Sequence, residues 1–582
     1  MFGNLSHLKK YFLRYKTKLI FGCVFILLSN VANVNIPLIV SRGIDSLGKT
    51  SHPNVLINLV ILLVIAAFIS GVFSFLKRQT IIVVSREVEF DLRQDFWSHI
   101  QKLPLRFFQN NSTGNIMSHA TNDIGAVRMF VGPSVMYSID NGIKFILTFS
   151  VMISLSPILT LYALLPMPFL SFVVYVVMKK MHAKYTRIQE KLSDLTTRAQ
   201  ENFSGIRVIK SYEREEFEIH QYEKESAEYL NRKMDQVKLQ AWFAPIFMII
   251  AGLSAIIVVY AGGGMVINGS LSKGTIFAFM LYLVDLIWPM ISFGWVANMV
   301  QQADASMKRL LKILNEPIEI SDENADVNIK EINGDIEFKN VSFRFGEQLP
   351  WVLKNINLKV DQGSTVAFVG NTGVGKTSLV NLLPRLYDVT DGVVMIGGID
   401  IRKIPLGVLR KNIGMIPQEN FLFSETLSNN IVYGLKDGTK ELVESVSNIA
   451  QLSKDVETFP AGYDTILGER GITLSGGQKQ RSTLARALAI NPKILILDDS
   501  FSAVDTHTEE EILKQLKKFM KDRTSIIISH RISTVKDSDK IFVLVNGSIA
   551  EEGTHDELVE KGGIYSDMHT KQLLEKELSE MN

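Results

Sequence analysis

Long apolar runs, separated by polar stretches, occupy the first 300 residues of the chain. A helix that crosses a membrane needs about 20 mostly apolar residues. Runs of about that length lie at residues 19–40, 55–76, 132–155, 158–178, 242–266 and 275–300. Only Ser156 and Pro157 separate the third run from the fourth, which predicts a hairpin with a very short turn. The pattern therefore predicts a helical membrane domain with six spans.

Two long polar connections, between the second and third runs and between the fourth and fifth, have a strongly helical composition. Unstructured connections of this length are uncommon, so we expect the spans to continue as helices beyond the bilayer. Basic residues flank these connections and both ends of the membrane region. They are Lys9, Lys10, Arg14, Lys16, Lys18, Lys77, Arg78, Lys179, Lys180, Lys308, Arg309 and Lys312. Because cytosolic loops are enriched in Lys and Arg, both termini and both connections are predicted to be cytosolic.

The character of the chain changes after the sixth run. Residues 316–333 are acidic and polar, which indicates a linker between a membrane domain at 1–315 and a second domain at 334–582. Residues 336–343, 365–369, 494–497 and 525–529 have the composition of strands, and the last two lack polar alternation. Such uniformly apolar strands are typical of a parallel sheet that is buried on both faces. The second domain is therefore predicted to have an α/β fold.

Composition narrows the functional classes. The 582 residues are 47% hydrophobic, which is high for a soluble protein of this size but suits a chain with a membrane half. The formal net charge of +2 gives no indication of a nucleic-acid-binding protein. A single cysteine, Cys23, excludes an intramolecular disulfide framework and a thiolate metal cluster.

A phosphate-binding loop is the strongest chemical signal in the sequence. Residues 370–377 (GNTGVGKT) match the P-loop pattern, follow a predicted strand and open an apolar helix. Glycines allow backbone N–H groups to surround phosphates, Lys376 is expected to reach the terminal phosphates, and Thr377 to coordinate Mg²⁺. The predicted ATP-binding residues of this segment are Gly370, Asn371, Thr372, Gly373, Val374, Gly375, Lys376, Thr377 and Ser378.

An acidic pair follows the apolar strand 494–497. Asp498 ends this strand in the position of a Walker B carboxylate, which holds Mg²⁺, and Asp499 comes next. An apolar strand that ends in two aspartates is a moderate signal alone, and it becomes strong when it follows a P-loop. The metal ligands predicted from these two motifs are Thr377 and Asp498.

These residues belong to a larger ordered set of motifs, and nearly the whole chain resembles the half-size bacterial ABC exporters. The ABC signature is matched by Leu474, Ser475, Gly476, Gly477 and Gln478. Gln418 resembles the Q-loop glutamine and His530 the switch histidine, while Ser502, Ala503 and Asp505 resemble the D-loop. Residues 465–471 (TILGERG) resemble an exporter-specific segment, and segments around 107–123 and 204–210 resemble the two intracellular loops. The fold implied is an α-helical polytopic membrane domain fused to an α/β P-loop ABC nucleotide-binding domain.

The resemblance implies a dimer of two such halves with ATP and Mg²⁺ as cofactors. In this family the signature of one half completes the ATP site of the other, so Ser475 and Gly477 are expected to serve the partner's nucleotide. Phe345 stands where the family usually has a tyrosine that stacks on adenine, although a simple core phenylalanine is the alternative. The resemblance implies Asp499, His530 and Gln418 as catalytic residues, and Gln418 also as a ligand of Mg²⁺ beside Thr377 and Asp498.

One departure from the family pattern concerns the general base. Most active members have a glutamate where this chain has Asp499. Because the aspartate side chain is shorter and a general base must lie close to the attacking water, the ATP site of this chain is expected to hydrolyse ATP slowly. The signature is intact, so the chain resembles the degenerate half of heterodimeric multidrug exporters. A homodimer in which Asp499 suffices remains the alternative, since His530 is also intact.

Polar residues within the spans are candidates for a substrate cavity. Asp140 and Asp285 are placed there because ionisable groups inside a membrane usually face a cavity or a partner. Asn33 is added because it contributes to a polar face of the first span. The alternative is a structural role in hydrogen bonding between helices, with Lys144 neutralising Asp140 from one helical turn away.

The predicted function is ATP-driven export of amphipathic drugs or other hydrophobic compounds, with membrane lipid as a partner and no nucleic acid. A lipid flippase or peptide exporter of the same architecture remains open. The order of the two domains and the TILGERG segment argue against an importer, and the spans exclude a soluble ABC ATPase. The expected location is the plasma membrane of a bacterium, with both termini in the cytoplasm.

Overall fold

The computed structural model describes residues 3–47, 53–468, 471 and 473–581. The chain divides into two compact units. The helical unit comprises Met1–Ile100 and Thr113–Asn315, and the α/β unit comprises Gln101–Ser112 and Glu316–Asn582. Residues 101–112 thus pack with the α/β unit, as do residues 316–333, which contain no helix or strand.

Long helices make up most of the helical unit. They are α1 (Lys16–Leu47), α2 (Pro53–Ile100), α3 (Val135–Leu155), α4 (Pro157–Leu164), α5 (Met167–Ser204), α6 (Glu215–Ile267) and α7 (Lys273–Leu314). The shorter helical segments are Asn4–Leu8, Lys9–Arg14, Thr113–Ser118, His119–Asp123, Ile124–Met129, Phe130–Ser134 and Ile206–Ser211. Among the described residues, five helical stretches are long and apolar enough to cross a membrane, including the continuous stretch Thr113–Leu155.

The fourth apolar run differs from the expected single helix. It is divided between α4 and α5, and the break falls at Leu165 and Pro166. Pro166 and Pro168 have no N–H to donate to the carbonyl groups four residues earlier, so the helical hydrogen-bond ladder is interrupted there. Apolar composition predicted a span at this point, and the two prolines determine where its helix is broken.

Several helices are much longer than a bilayer requires, as the polar connections predicted. Helix α2 has 48 residues, which at 1.5 Å per residue gives a length of about 70 Å. The hydrocarbon core of a bilayer is only about 30 Å thick. Helix α6, with 53 residues, is longer still.

The α/β unit contains two sheets. Its strands are β1 (Ile336–Phe343), β2 (Leu353–Val360), β3 (Thr365–Val369), β4 (Asp391–Ile396), β5 (Ile399–Asp400), β6 (Ile413–Ile416), β7 (Ile494–Asp498), β8 (Thr524–Ile528), β9 (Lys540–Val545) and β10 (Ser548–Gly553). One sheet has the order β2-β1-β4-β5 and is antiparallel, and the other has the order β10-β9-β3-β8-β7-β6. The four strands predicted from composition are all present, within one residue at each end.

Helices surround the larger sheet. Three of them position the site described below: α8 (Lys376–Asn381), α9 (Gly476–Ala489) and α10 (Thr506–Met520). The remaining helical segments are Leu105–Asn110, Ile401–Lys403, Leu406–Lys411, Leu427–Ile431, Lys440–Ile449, Ser453–Val456, Gly462–Asp464, Ile532–Val535, His555–Glu560 and Ile564–Met581. Strands β7 and β8 are buried at every position, as expected for central parallel strands.

Strand direction brings the predicted catalytic residues to one edge. Strands β3, β8, β7 and β6 are mutually parallel neighbours in the larger sheet. The segment after β3 is the P-loop, and the segments after β8, β7 and β6 carry His530, Asp499 and Gln418. In open α/β sheets, ligands bind outside the carboxyl ends of parallel strands.

Candidate active site

The P-loop needs glycine at two points of close approach. Gly370 has φ +146°, and a Cβ atom there would lie 2.5 Å from the carbonyl oxygen of Leu544. Gly375 has φ +102°, and a Cβ atom there would lie 3.0 Å from the carbonyl oxygen of Val352. Other residues rarely adopt such backbone conformations. The two glycines therefore allow the P-loop to pass close to the backbone of Leu544 and Val352, where a side chain would not fit.

The Lys376 side chain lies folded against the P-loop. Its ammonium group donates to the carbonyl oxygens of Gly370, at 2.7 Å, and Asn371, at 2.9 Å. The residue is buried, and this desolvation lowers the pKa of Lys376, while the charges of Asp498 and Asp499 act in the opposite direction. A phosphate group would replace these two neutral acceptors with charged oxygens, which form stronger hydrogen bonds.

Asp498 is a buried carboxylate with unused bonding capacity. It accepts a hydrogen bond from Thr377, and burial raises its pKa above the usual range of an aspartate. Its Oδ2 atom is buried and has no hydrogen-bond partner among the described residues. Buried polar atoms normally have partners, and a hard divalent cation with oxygen ligands would supply one here. Thr377 and Asp498 therefore fit the predicted Mg²⁺ site.

The backbone of Asp499 is held in an unusual conformation by three hydrogen bonds. Its φ is +48°, in the left-handed region, which Asp tolerates better than most residues. Its N–H donates to the carbonyl oxygen of Ile528 at 2.9 Å. Its own carbonyl oxygen accepts from Gln480 Nε2 at 3.2 Å and Ser502 Oγ at 3.3 Å. These bonds fix the point from which the Asp499 carboxylate extends.

His530 and Gln418 complete the predicted catalytic set. Burial lowers the pKa of His530, and the charge of Lys376 lowers it further, while Asp499 raises it. The charges of Lys376 and Asp499 therefore both influence the protonation of His530. Gln418 is exposed after β6, and no hydrogen bond of its side chain is described.

The signature motif forms the start of helix α9. Ser475 caps this helix by accepting from the backbone N–H of Gln478 at 3.3 Å. The Gln478 side chain accepts in return from the Ser475 N–H at 3.0 Å, which completes a capping box. Gln478 Nε2 also donates to Asp455 at 2.9 Å, and Leu474 is buried. Within the preceding TILGERG segment, Glu469 and Arg470 lie outside the described residues.

Gln480 joins the signature helix to the D-loop, a role that the sequence motifs did not reveal. It is buried, its Nε2 donates to Ser502 Oγ at 3.1 Å, and its Oε1 accepts from the Ala503 N–H at 3.1 Å. Asp505 ends the D-loop and caps α10 by accepting from the Thr508 N–H at 2.9 Å. The only sequence signal was an amide residue two positions after Gln478.

Replacing Gln480 with leucine is expected to destabilise the α/β unit. The variant Gln480→Leu keeps the side-chain volume but leaves the Ala503 N–H and the Asp499 carbonyl with fewer partners, which costs about 1–3 kcal/mol. The thermal midpoint of the full chain should fall by several degrees. Gln515→Leu, on the partly exposed surface of α10, is the matched control. An equal effect of both variants would contradict the bridging role of Gln480.

Phe345 belongs to an aromatic cluster. Its ring packs edge-to-face on Phe343 and on Tyr387, with centroids 5.0 and 5.4 Å apart, and remains half-buried. The Gln109 side chain hydrogen-bonds to the Tyr387 hydroxyl and so lowers its pKa, against the larger raising effect of burial. Gln109 belongs to the helical segment Leu105–Asn110, which is also anchored by Arg106 on Glu319 at 2.5 Å. The first intracellular loop therefore contacts the cluster that contains Phe345.

The intramembrane aspartates are both paired with lysine. Lys77 binds Asp140 at 2.9 Å, and Lys144 binds Asp285 at 2.8 Å. The expected neutralisation of Asp140 by Lys144 is therefore wrong, because each of the two residues has a closer partner on another helix. Asn33 is half-buried, and no hydrogen bond of its side chain is described.

Comparisons with known proteins cover nearly the whole chain. A family model described as the ABC transporter transmembrane region matches residues 19–290, and one described as ABC transporter matches residues 353–502. A probable multidrug resistance ABC transporter ATP-binding/permease protein of Bacillus subtilis is 33% identical over 99% of this chain and 98% of its own length.

Two further similarities concern an enzyme and a solved structure. An ATP-dependent lipid A-core flippase of Syntrophus aciditrophicus is 33% identical over 96% of this chain and 92% of its own length. A solved structure of a bacterial Atm1-family ABC exporter with ATP bound has a TM-score of 0.74 and 26% identity. It covers 96% of this chain and 99% of the solved chain.

Proposed function

This chain belongs to the ABC exporters, as a half-transporter that joins one transmembrane region to one ATP-binding domain, and we propose that it works as one half of a heterodimer that exports amphipathic or other hydrophobic compounds. The chain binds ATP and couples its hydrolysis to transport across a membrane.

Asp499 carries the heterodimer proposal. A general base must lie within hydrogen-bond distance of the proton that it removes. The carboxylate of Asp499 is one methylene shorter than that of glutamate, and three backbone hydrogen bonds hold Asp499 in place. The backbone therefore cannot easily move to compensate. A displacement on the order of 1 Å lowers a rate by about 100-fold, so the ATP site of this chain hydrolyses slowly.

The signature supports a productive role for the same chain at the other ATP site. Ser475 and Gln478 form a complete capping box, so the start of α9 is ordered and exposed. Ser475 and Gly477 would contact the γ-phosphate of ATP bound to the partner half. One competent site then consists of the partner's P-loop and base together with the signature of this chain.

ATP bound to this chain would be held by the P-loop. Lys376 leaves its two backbone acceptors for the terminal phosphates, and Phe345 offers a half-exposed ring to adenine. Thr377 and Asp498, with Gln418, would hold Mg²⁺, which supplies positive charge to the phosphate oxygens. His530 would orient the γ-phosphate, and its lowered pKa keeps it neutral near pH 7.

Transport is expected to follow alternating access. ATP binding brings the two ATP-binding domains together, the intracellular loops transmit this closure, and the membrane helices change from inward to outward access. Hydrolysis resets the pair. The contact of Gln109 with Tyr387 supports a direct link between the first intracellular loop and the nucleotide side of the domain. We place the exporter in a bacterial plasma membrane with both termini in the cytoplasm.

The decisive test is the ATPase activity of the purified chain alone and of Asp499→Glu. We expect slow hydrolysis by the unmodified chain and a rise of about 10- to 100-fold in the variant, because glutamate restores the reach of the base. Asp522→Glu, on an exposed loop of the same unit, is the matched control and should change nothing. Rapid hydrolysis by the unmodified chain, unchanged or lowered in Asp499→Glu, would leave an ordinary homodimer.

A homodimeric lipid flippase is the second candidate. The observation that favours it is the 33% identity to the lipid A-core flippase over most of both chains. Stimulation of ATPase activity by lipids but not by drugs, together with rapid hydrolysis by the chain alone, would favour the flippase over the heterodimeric drug exporter.

A further inference from the structure

Four charged side chains form two ion pairs within the helical unit, and each pair has one member on α3. Lys77 on α2 binds Asp140 on α3, and Lys144, one turn further along α3, binds Asp285 on α7. The charges alternate in sign and cancel. Ionisable groups inside a membrane are expensive unless they are paired, and this pairing removes a net charge from the interior.

The two ion pairs differ in their remaining hydrogen-bonding capacity. Asp140 Oδ1 also accepts from Asn30 at 2.8 Å, and the side chains of Lys77 and Asp140 are only 11% and 19% exposed. The side chains of Lys144 and Asp285 are 19% and 26% exposed, and no third partner of theirs occurs among the described residues. A lysine has three N–H donors and a carboxylate about four acceptor positions. The Lys144–Asp285 pair can therefore form several more bonds.

Proline adds a further acceptor at Asp285. Pro289 lies four residues later in α7 and has no N–H to donate to the Asp285 carbonyl oxygen. That carbonyl therefore lacks its regular helical partner. The next turn is also polar, since Asn141 Nδ2 donates to Ser292 Oγ at 2.6 Å. Asp285 thus offers both its carboxylate and its main-chain oxygen to a hydrogen-bond donor.

We propose that the Lys144–Asp285 pair binds the headgroup of a zwitterionic amphiphile, with its anionic group at Lys144 and its ammonium group at Asp285. A substrate with only a cation would pair with Asp285 and leave Lys144 without a partner, and an anion would do the reverse. An unpaired charge in such a site is strongly unfavourable. A zwitterion exchanges one ion pair for two, so no charge is left unpaired. This inference names the substrate class of the proposed exporter and rests on that function.

The test uses single-chain amphiphiles with the same C12 tail and different headgroups. Lysophosphatidylethanolamine is the zwitterion, dodecylamine the cation, dodecyl phosphate the anion and dodecanol the neutral compound. Equilibrium binding to the purified full-length protein in nanodiscs is measured with each compound below its micelle concentration. We expect the zwitterion to bind at least about 10-fold more tightly than the other three, a difference of about 1.4 kcal/mol.

Charge variants then locate the binding. Lys144→Gln should shift the preference to the cation and Asp285→Asn to the anion, each by at least about 10-fold. The exchanged pair Lys144→Asp with Asp285→Lys keeps the charges balanced and should retain the preference for the zwitterion. Lys10→Gln with Asp95→Asn, an exposed ion pair of the same unit, is the matched control and should leave the preference unchanged.

Each outcome bears on the proposal separately from the proposed function. Equal binding of all four headgroups to the unmodified protein, which requires no variant to fold, would overturn the site. An equal shift in the Lys10–Asp95 control would also overturn it. Zwitterion binding that responds to Lys144 and Asp285 supports the site even if ATP drives no transport, and that second result would count against the exporter proposal alone.

Discussion

In the purified chain alone, the variant Asp498→Asn is expected to lose the slow Mg²⁺-dependent ATP hydrolysis by at least about 100-fold and, at the same time, to be more stable than the unmodified protein without nucleotide. The loss follows because an amide cannot provide the anionic oxygen that a hard cation requires, and electrostatic contacts to the reacting phosphate contribute about 100- to 1,000-fold each. The gain follows because Asp498 is a buried charge whose Oδ2 atom has no partner among the described residues, and the neutral amide removes the cost of burying that charge, on the order of 1–3 kcal/mol.

The same residue gives the stability a defined pH dependence. Burial raises the pKa of Asp498 in the folded state above its ordinary unfolded value near 4. The folded protein therefore binds more protons than the unfolded chain between these two pKa values, and its stability falls as pH rises through that interval. In Asp498→Asn this contribution should be absent.

ATP hydrolysis by the purified chain tests the expected loss of activity. Thermal unfolding of the full chain, measured with EDTA and with Mg²⁺ and ATP, tests the expected gain in stability. The unmodified protein should gain stability from Mg²⁺ and ATP, and Asp498→Asn should start higher and gain much less. Asp522→Asn is the matched control because it changes an exposed aspartate of the same unit. A variant that is less stable without nucleotide, or that hydrolyses ATP normally, would contradict the assignment of Asp498.

Removal of the positive charge of Lys376 from the P-loop should lower the rate of ATP hydrolysis to a similar extent. Lys376→Met keeps the length of the side chain and removes its ammonium group, so the slow ATP hydrolysis by the purified chain alone should fall by at least about 100-fold. ATP affinity should also fall, because charge-assisted hydrogen bonds to phosphate are about twice as strong as neutral ones. Hydrolysis by the purified chain alone and binding of a fluorescent ATP analogue to it are the two measurements.

Lys376 also has a structural role that the same variant tests. Its ammonium group donates to two backbone carbonyls of the P-loop, which methionine leaves without these donors. Part of any loss of ATP affinity thus reflects a less ordered loop. Lys359→Met, at an exposed position of β2, is the matched control. Normal ATP binding by Lys376→Met would exclude Lys376 as the phosphate-contacting residue.

Local patterns predicted the ATP-binding region well because its motifs lie at fixed positions relative to strands. The apolar sequence of 494–497 indicated a buried strand, and that strand places Asp498 at its carboxyl end. Strands β3, β8, β7 and β6 run parallel, so motifs that are far apart in the sequence meet at one edge. Neither the left-handed conformation of Asp499 nor its three backbone bonds has a signature in the sequence.

Contacts between separate elements could not be predicted in the same way. Helical spacing places Asp140 and Lys144 on one face of α3, but it says nothing about Lys77 and Asp285 on other helices. Gln480 presented the same difficulty, since its partners are in the D-loop. Pro166 is a sequence signal for the break after α4, although the apolar composition around it predicted a continuous span.

The packing of residues 101–112 with the α/β unit has a consequence for folding and for truncated forms of the protein. This unit is discontinuous in the sequence, so a fragment that starts at residue 316 lacks one of its own segments. During synthesis, Phe107 leaves the ribosome long before the surface on which it becomes buried exists. Residues 101–112 therefore cannot form their contacts with the α/β unit until the C-terminal part of the chain has folded. The fragment should expose apolar surface and aggregate unless a peptide of residues 101–112 is added.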